Sequence, residues 1–101
     1  MDAIVMTQAE RGWLKCKVSP GLFETEWLVL VREVSHDKLV ELTVDRLLVR
    51  TKGQPTRGKP VPRRLSVLVH RTEQNRADVS LPVPSVEFGL VITVPADHLA
   101  G

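Results

Sequence analysis

The chain has no tyrosine, a single cysteine and only four aromatic residues among its 101: Trp13, Trp27, Phe23 and Phe88. One cysteine, Cys16, excludes a disulfide within the chain. So few rings argue against a reader of single-stranded nucleic acid that stacks successive bases on a sheet, and against an aromatic cleft for a sugar. Metal-ligand spacings of the CxxC, HxH or HExxH kind are missing, and His36, His70 and His98 each stand alone in the sequence. There is no GxSxG and no glycine-rich loop followed by GK[ST]. No apolar run approaches the length of a membrane-crossing helix. Met1 to Glu10 carries Asp2 and Glu10 and no cation, unlike the basic start of a secretory signal. A cytoplasmic protein with no membrane partner is therefore the expectation.

What is present is ordinary for a globular domain. Hydrophobic residues make up 43% and charged residues 26%, and the formal charge is only +2, so the chain has enough apolar material to bury a core. Its length fits one domain, residues 1–101. Valine occurs 16 times and leucine 13, whereas alanine, the best helix former, occurs 5 times. That choice favours pleated structure.

Alternation supports the same conclusion. Leu14, Cys16 and Val18 alternate with Lys15 and Lys17. Leu65, Val67 and Val69 alternate with Ser66 and His70. Phe23, Thr25, Trp27, Val29 and Val31 form one face of a long predicted strand, and Val86, Phe88, Leu90, Ile92 and Val94 form another. Residues 38–51 are ambiguous. Val40, Leu42 and Val44 share one parity and Leu47 and Val49 the other, which reads as two short strands with a bend at Asp45-Arg46. A helix over this segment remains an alternative, disfavoured by its β-branched residues. Ser19-Pro20-Gly21, Ser35-His36-Asp37 and Thr72 to Asn75 are turn signals. Pro82 and Pro84 keep their stretch out of a central ladder. The expected fold is all-β: a compact antiparallel barrel or two-layer sandwich of about seven strands, with at most a short helix at 38–51 or near Asp97 to Ala100. No internal repeat is visible in the sequence.

The charged feature is residues 50–64, read as a long exposed Pro/Gly loop. It carries Arg50, Lys52, Arg57, Lys59, Arg63 and Arg64 and no acid, six of the 14 cations in the chain. A basic arm of this kind can neutralise phosphates. It can equally be a solvated connection that keeps a β-protein soluble. Lys52, Arg57, Lys59, Arg63 and Arg64 are the polyanion-binding candidates. Trp13, on the lysine face of its strand, is the interface candidate; Trp27 is expected in the core.

Other chemistry finds little support. Cys16 lies between two lysines, which would activate a thiol, but strand geometry turns the lysines to the opposite face. Glu24 and Glu26 share a predicted strand face, as carboxylates on any solvated strand do. No catalytic residue, cofactor or metal site is assigned. The expected function is a non-enzymatic binding module. Its partner is a protein or a second copy of the chain, with non-specific nucleic-acid or polyanion binding through 50–64 as the alternative.

The segment Val18-Ser19-Pro20-Gly21-Leu22-Phe23-Glu24-Thr25-Glu26, the stretch Val44-Asp45-Arg46-Leu47-Leu48-Val49 and the closing Val94-Pro95 resemble a pattern in small uncharacterised bacterial all-β proteins, of the kind carried by accessory or cassette-borne genes. These motifs occupy turn and core positions across about half the chain. The resemblance implies a fold and no activity.

Overall fold

A computed structural model describes residues 9–50, 60–85 and 87–100. The described residues form eight strands: β1 (Glu10–Pro20), β2 (Glu26–Glu33), β3 (Lys38–Asp45), β4 (Val49–Arg50), β5 (Val61–Glu73), β6 (Arg76–Ser85), β7 (Gly89–Pro95) and β8 (Leu99–Ala100). Two 3-10 turns, Arg46–Leu48 and Ala96–His98, are the helical elements among the described residues. The all-β expectation holds, with eight strands instead of about seven. All pairings are antiparallel, in one sheet of order β3-β2-β1-β5-β6-β7, with β4 on β5 and β8 on β1. The sheet curls into a half-barrel, so that β3 packs against β6 and β2 against β7.

Alternation builds the core inside the curl. Leu14, Cys16 and Val18 of β1 turn inward, as do Trp27, Val29 and Val31 of β2, Val40, Leu42 and Val44 of β3, and Leu65 and Val67 of β5. Val49 of β4, Ala77, Val79 and Leu81 of β6 and Ile92 and Val94 of β7 join them. The ambiguous segment resolves as strand, turn, strand. β3 ends at Asp45, whose Oδ1 accepts from Leu47 N at 2.8 Å, capping the 3-10 turn before β4.

Three sequence expectations are corrected. The strand predicted from Phe23 begins at Glu26, because Gly21 N bonds Glu26 O and Glu26 N bonds Phe23 O, which closes residues 21–25 into a turn. A Cβ on Gly21 would stand 2.6 Å from that Glu26 oxygen, so the close approach requires glycine. Glu24 therefore lies in the turn and shares no strand face with Glu26. In the alternating run 86–94, Val86 lies outside the described residues, Glu87 and Phe88 lie in a turn, and the strand begins at Gly89. Phe88 sits in a turn held by Ser85, whose Oγ accepts from Phe88 N and donates to Gly89 O, with Gly89 at φ +67°. Lastly, residues 50–64 are not all loop. Arg50 ends β4 and Val61 to Arg64 begin β5. Pro62 is accommodated there because β5 pairs only with β1 at that point among the described residues, leaving its other edge open. Pro82 and Pro84 interrupt pairing as expected: the β6–β7 register jumps from Ser80 to Ser85.

The structure also contains a repeat that the sequence hides. Trp27 pairs with Val44, and fifty residues on Ala77 pairs with Val94; Val29 with Leu42 is matched by Val79 with Ile92. Arg46 N bonds Thr25 O at 2.9 Å, and Ala96 N bonds Asn75 O at 2.8 Å. β1 and β5 match at an offset of fifty-one, so Leu14 and Leu65 are equivalent and face each other across a local two-fold axis. Each half places its last short strand on the other: β4 of the first on β5, β8 of the second on β1, with Val49 opposite Leu65 and Leu99 opposite Leu14.

Candidate polyanion-binding face

The outer side of the central strands is basic. On β1 the residues opposite the buried Leu14, Cys16 and Val18 are Arg11, Trp13, Lys15 and Lys17; the three cations are exposed and Trp13 is half-buried. Lys15 pairs with Arg64 of β5, and Arg64 pairs with Arg50 of β4. Directly opposed residues share a face at a strand spacing of about 5 Å. Arg50, Arg64 and Lys15 therefore form one row of three cations about 10 Å wide. The outward residues of β5 on either side, Pro62, Ser66, Leu68 and His70, include no acid. Arg11, Lys15, Lys17, Arg50 and Arg64 make no ion pair among the described residues.

Two contacts fix the row. The Arg50 guanidinium lies over the Trp13 ring, 4.0 Å from its centroid. Arg64 Nη1 donates to His98 O at 2.9 Å, satisfying a carbonyl of the second 3-10 turn. Each holds a long side chain on the sheet and leaves its charge uncompensated. Like charges directly opposed across strands destabilise a sheet, so the row carries mutual repulsion.

Arg64, predicted from sequence, sits at the centre of this face, and Trp13, predicted separately, stands beside it. Arg63 pairs with Cys16 on the other parity, with its Nη1 donating to Pro62 O at 2.7 Å. Lys52, Arg57 and Lys59 fall within 51–59, outside the described residues. Sequence reasoning missed Arg11, Lys15 and Lys17 as members of the site, and counted Arg50 in the basic segment without placing it among the binding candidates. The signal for the first three was the alternation of cations around Trp13 on the face opposite Cys16.

The remaining chemistry-bearing groups lie elsewhere. Cys16 is buried, and desolvation pushes its thiol up to about 12 despite the nearby Arg64 and Arg63, which favour the thiolate. It stays a thiol at neutral pH and packs as a small apolar residue. Glu33 is the one buried charged residue among the described residues, 2% exposed. It accepts from Ser35 N at 2.6 Å and His36 N at 2.8 Å, with His36 Nδ1 3.0 Å away. Burial raises its pKa, but those hydrogen bonds outweigh burial and hold the carboxyl below the ordinary carboxylate value. Glu33 therefore organises the β2–β3 turn. Among the described residues no cluster of three or more His, Cys, Asp or Glu side chains is placed to hold a metal ion, and no helix is long and apolar enough to cross a membrane.

No protein-family model, curated protein or solved structure matches this chain.

Proposed function

We propose that this protein is a non-enzymatic binding module that takes a polyanion, most simply a nucleic-acid backbone, on the outer face of β1, β4 and β5. The observation that carries this reading is the row Arg50–Arg64–Lys15, three cations side by side without an ion-pair partner among the described residues, with Trp13 at their edge. Arg11 and Lys17 extend the charge along β1 over about 20 Å, six residues at strand rise. The sequence adds Lys52, Arg57 and Lys59 in the segment that joins Arg50 to Pro60. Backbone contacts of this sort position a ligand without reading bases, and a single half-buried Trp suits one stacked base at most.

The experiment is a titration of labelled single- and double-stranded mixed-sequence oligonucleotides into the intact protein at about 50 mM and about 150 mM salt. Binding falls steeply as salt rises, with a log–log slope on duplex of about 0.9 per phosphate neutralised. Lys15→Glu with Lys17→Glu, both exposed and outside the packing contacts, weakens it at least tenfold and lowers that slope. No binding at the lower salt, or binding indifferent to this double variant, overturns the proposal.

A further inference from the structure

β3 is the end strand of the sheet. It pairs with β2 from Lys38 to Asp45, and among the described residues no strand takes its other edge. Such an edge presents unpaired N–H and C=O groups, a template for another strand. The curl of the sheet lays this edge beside the proline-interrupted stretch of β6. The two border a groove of about 850 Å³ whose apolar lining is Leu39, Leu42, Val83 and Pro84 and whose acids are Glu41 and Glu87.

The internal repeat places a closed seam beside this open one for comparison. In the related seam, between β2 and β7, Val34 N donates to Thr93 O at 2.9 Å and ties the layers together. Fifty residues from Val34 stands Pro84, and fifty before Thr93 stands Thr43; both line the groove. Proline has no N–H, so the matching bond to Thr43 O cannot form.

We infer that this groove docks an extended segment of another protein, which adds as a strand to the free edge of β3 and carries a lysine or arginine. Main-chain bonds to an edge supply affinity, and pockets for alternate side chains supply selectivity. The apolar lining suits every second side chain of such a segment. The cation follows from charge: Glu87 already receives Lys38 Nζ at 2.9 Å, whereas Glu41 is exposed and has no ion-pair partner among the described residues. The same carboxylates repel a nucleic-acid backbone. A second copy pairing β3 with β3 about the middle of the groove would set Glu41 near its own symmetry mate, a like-charge contact across strands.

The test uses random-sequence linear nonapeptides displayed on phage, selected against the intact protein, with enriched peptides resynthesised and followed by amide NMR. The expected peptides alternate apolar residues around a lysine or arginine and shift the amides of Leu39 to Thr43. Glu41→Lys and, independently, Pro84→Val, which supplies an N–H in the groove wall where proline has none, each weaken binding at least tenfold. Lys15→Glu with Lys17→Glu leaves it unchanged, which separates this site from the polyanion face. Failure to enrich any peptide over the display control, peptides whose footprint lies elsewhere, or shifts at Leu39 to Thr43 that follow protein concentration alone would each overturn the inference, the last in favour of self-association.

Discussion

The described residues of 9–50 and of 60–100 adopt the same succession of long strand, two further strands, 3-10 turn and short strand, and the pairing of Glu26 to Leu30 with β3 is matched in register by that of Arg76 to Ser80 with β7. Their interiors agree in kind. Val29 and Val79, Val31 and Leu81, Leu42 and Ile92, Val44 and Val94, and Cys16 and Val67 are all buried and apolar. Their surfaces do not agree. Lys15 matches Ser66, Lys17 matches Leu68, Arg50 matches Ala100 and Leu47 matches Asp97. The fold thus demands inward alternation and turns at fixed places, and leaves the outward residues free. The basic row and the open groove are both departures of one half from the other, so neither is a requirement of the architecture.

The comparison breaks most readily where a buried pair is unequal. Trp27 and Ala77 occupy equivalent places, 3% and 1% exposed, so the first half fills with one indole a space that the second half fills by other means. Trp27→Ala is expected to cost about 3–5 kcal/mol, read as a lowered midpoint in denaturant unfolding. A loss below about 1 kcal/mol would mean that the two halves pack interchangeably at this position.

Glu33 provides the next test, because Val83, fifty residues on, is an apolar side chain with no hydrogen bonds to make. Glu33→Ala leaves the N–H groups of Ser35 and His36 without their carboxylate and should cost about 2 kcal/mol. The sign with pH follows from a carboxyl held below its ordinary value in the folded state. The stabilisation is complete above the unfolded-state carboxyl pKa of about 4.3 and is lost as pH falls through the lower folded value. Wild type minus variant stability should therefore be flat from neutrality to about pH 5 and shrink below that. A difference that instead grows on acidification would contradict the ionised, bonded Glu33.

Much of this was legible from residue alternation and turn chemistry. Leu14, Cys16 and Val18 inward with Lys15 and Lys17 outward, the bend at Asp45-Arg46, the turn at Ser35-His36-Asp37 and the buried Trp27 all follow from local rules. Alternation misled where a turn happened to continue it, as at Phe23 and Phe88, since a period of two does not distinguish a strand from a turn leading into one. The repeat was hidden because its halves share burial and register with few identities. Thr43-Val44 and Thr93-Val94 are a rare exact match. The basic row was hidden for a related reason: Arg50, Arg64 and Lys15 are far apart in sequence and meet only through the pairing of β4, β5 and β1.

The finest test makes the halves more alike. Thr25 O accepts from Arg46 N at 2.9 Å, so the first 3-10 turn is tied to the turn at 21–25. Leu22 and Leu47 on these two turns are 94% and 83% exposed. The second half carries Gln74 and Asn75 in its tied turn and Asp97 at the place of Leu47. A leucine this exposed contributes almost no burial, so Leu47→Asp should change stability by no more than about 0.5 kcal/mol. Asp45 already caps this turn through Leu47 N, and that backbone bond survives the substitution. The result sharpens the comparison in either direction. A neutral outcome makes Leu47 a surface residue that the fold tolerates in either chemistry. A loss above about 1 kcal/mol would mean that the apolar tip packs in solution against something its polar counterpart does not meet.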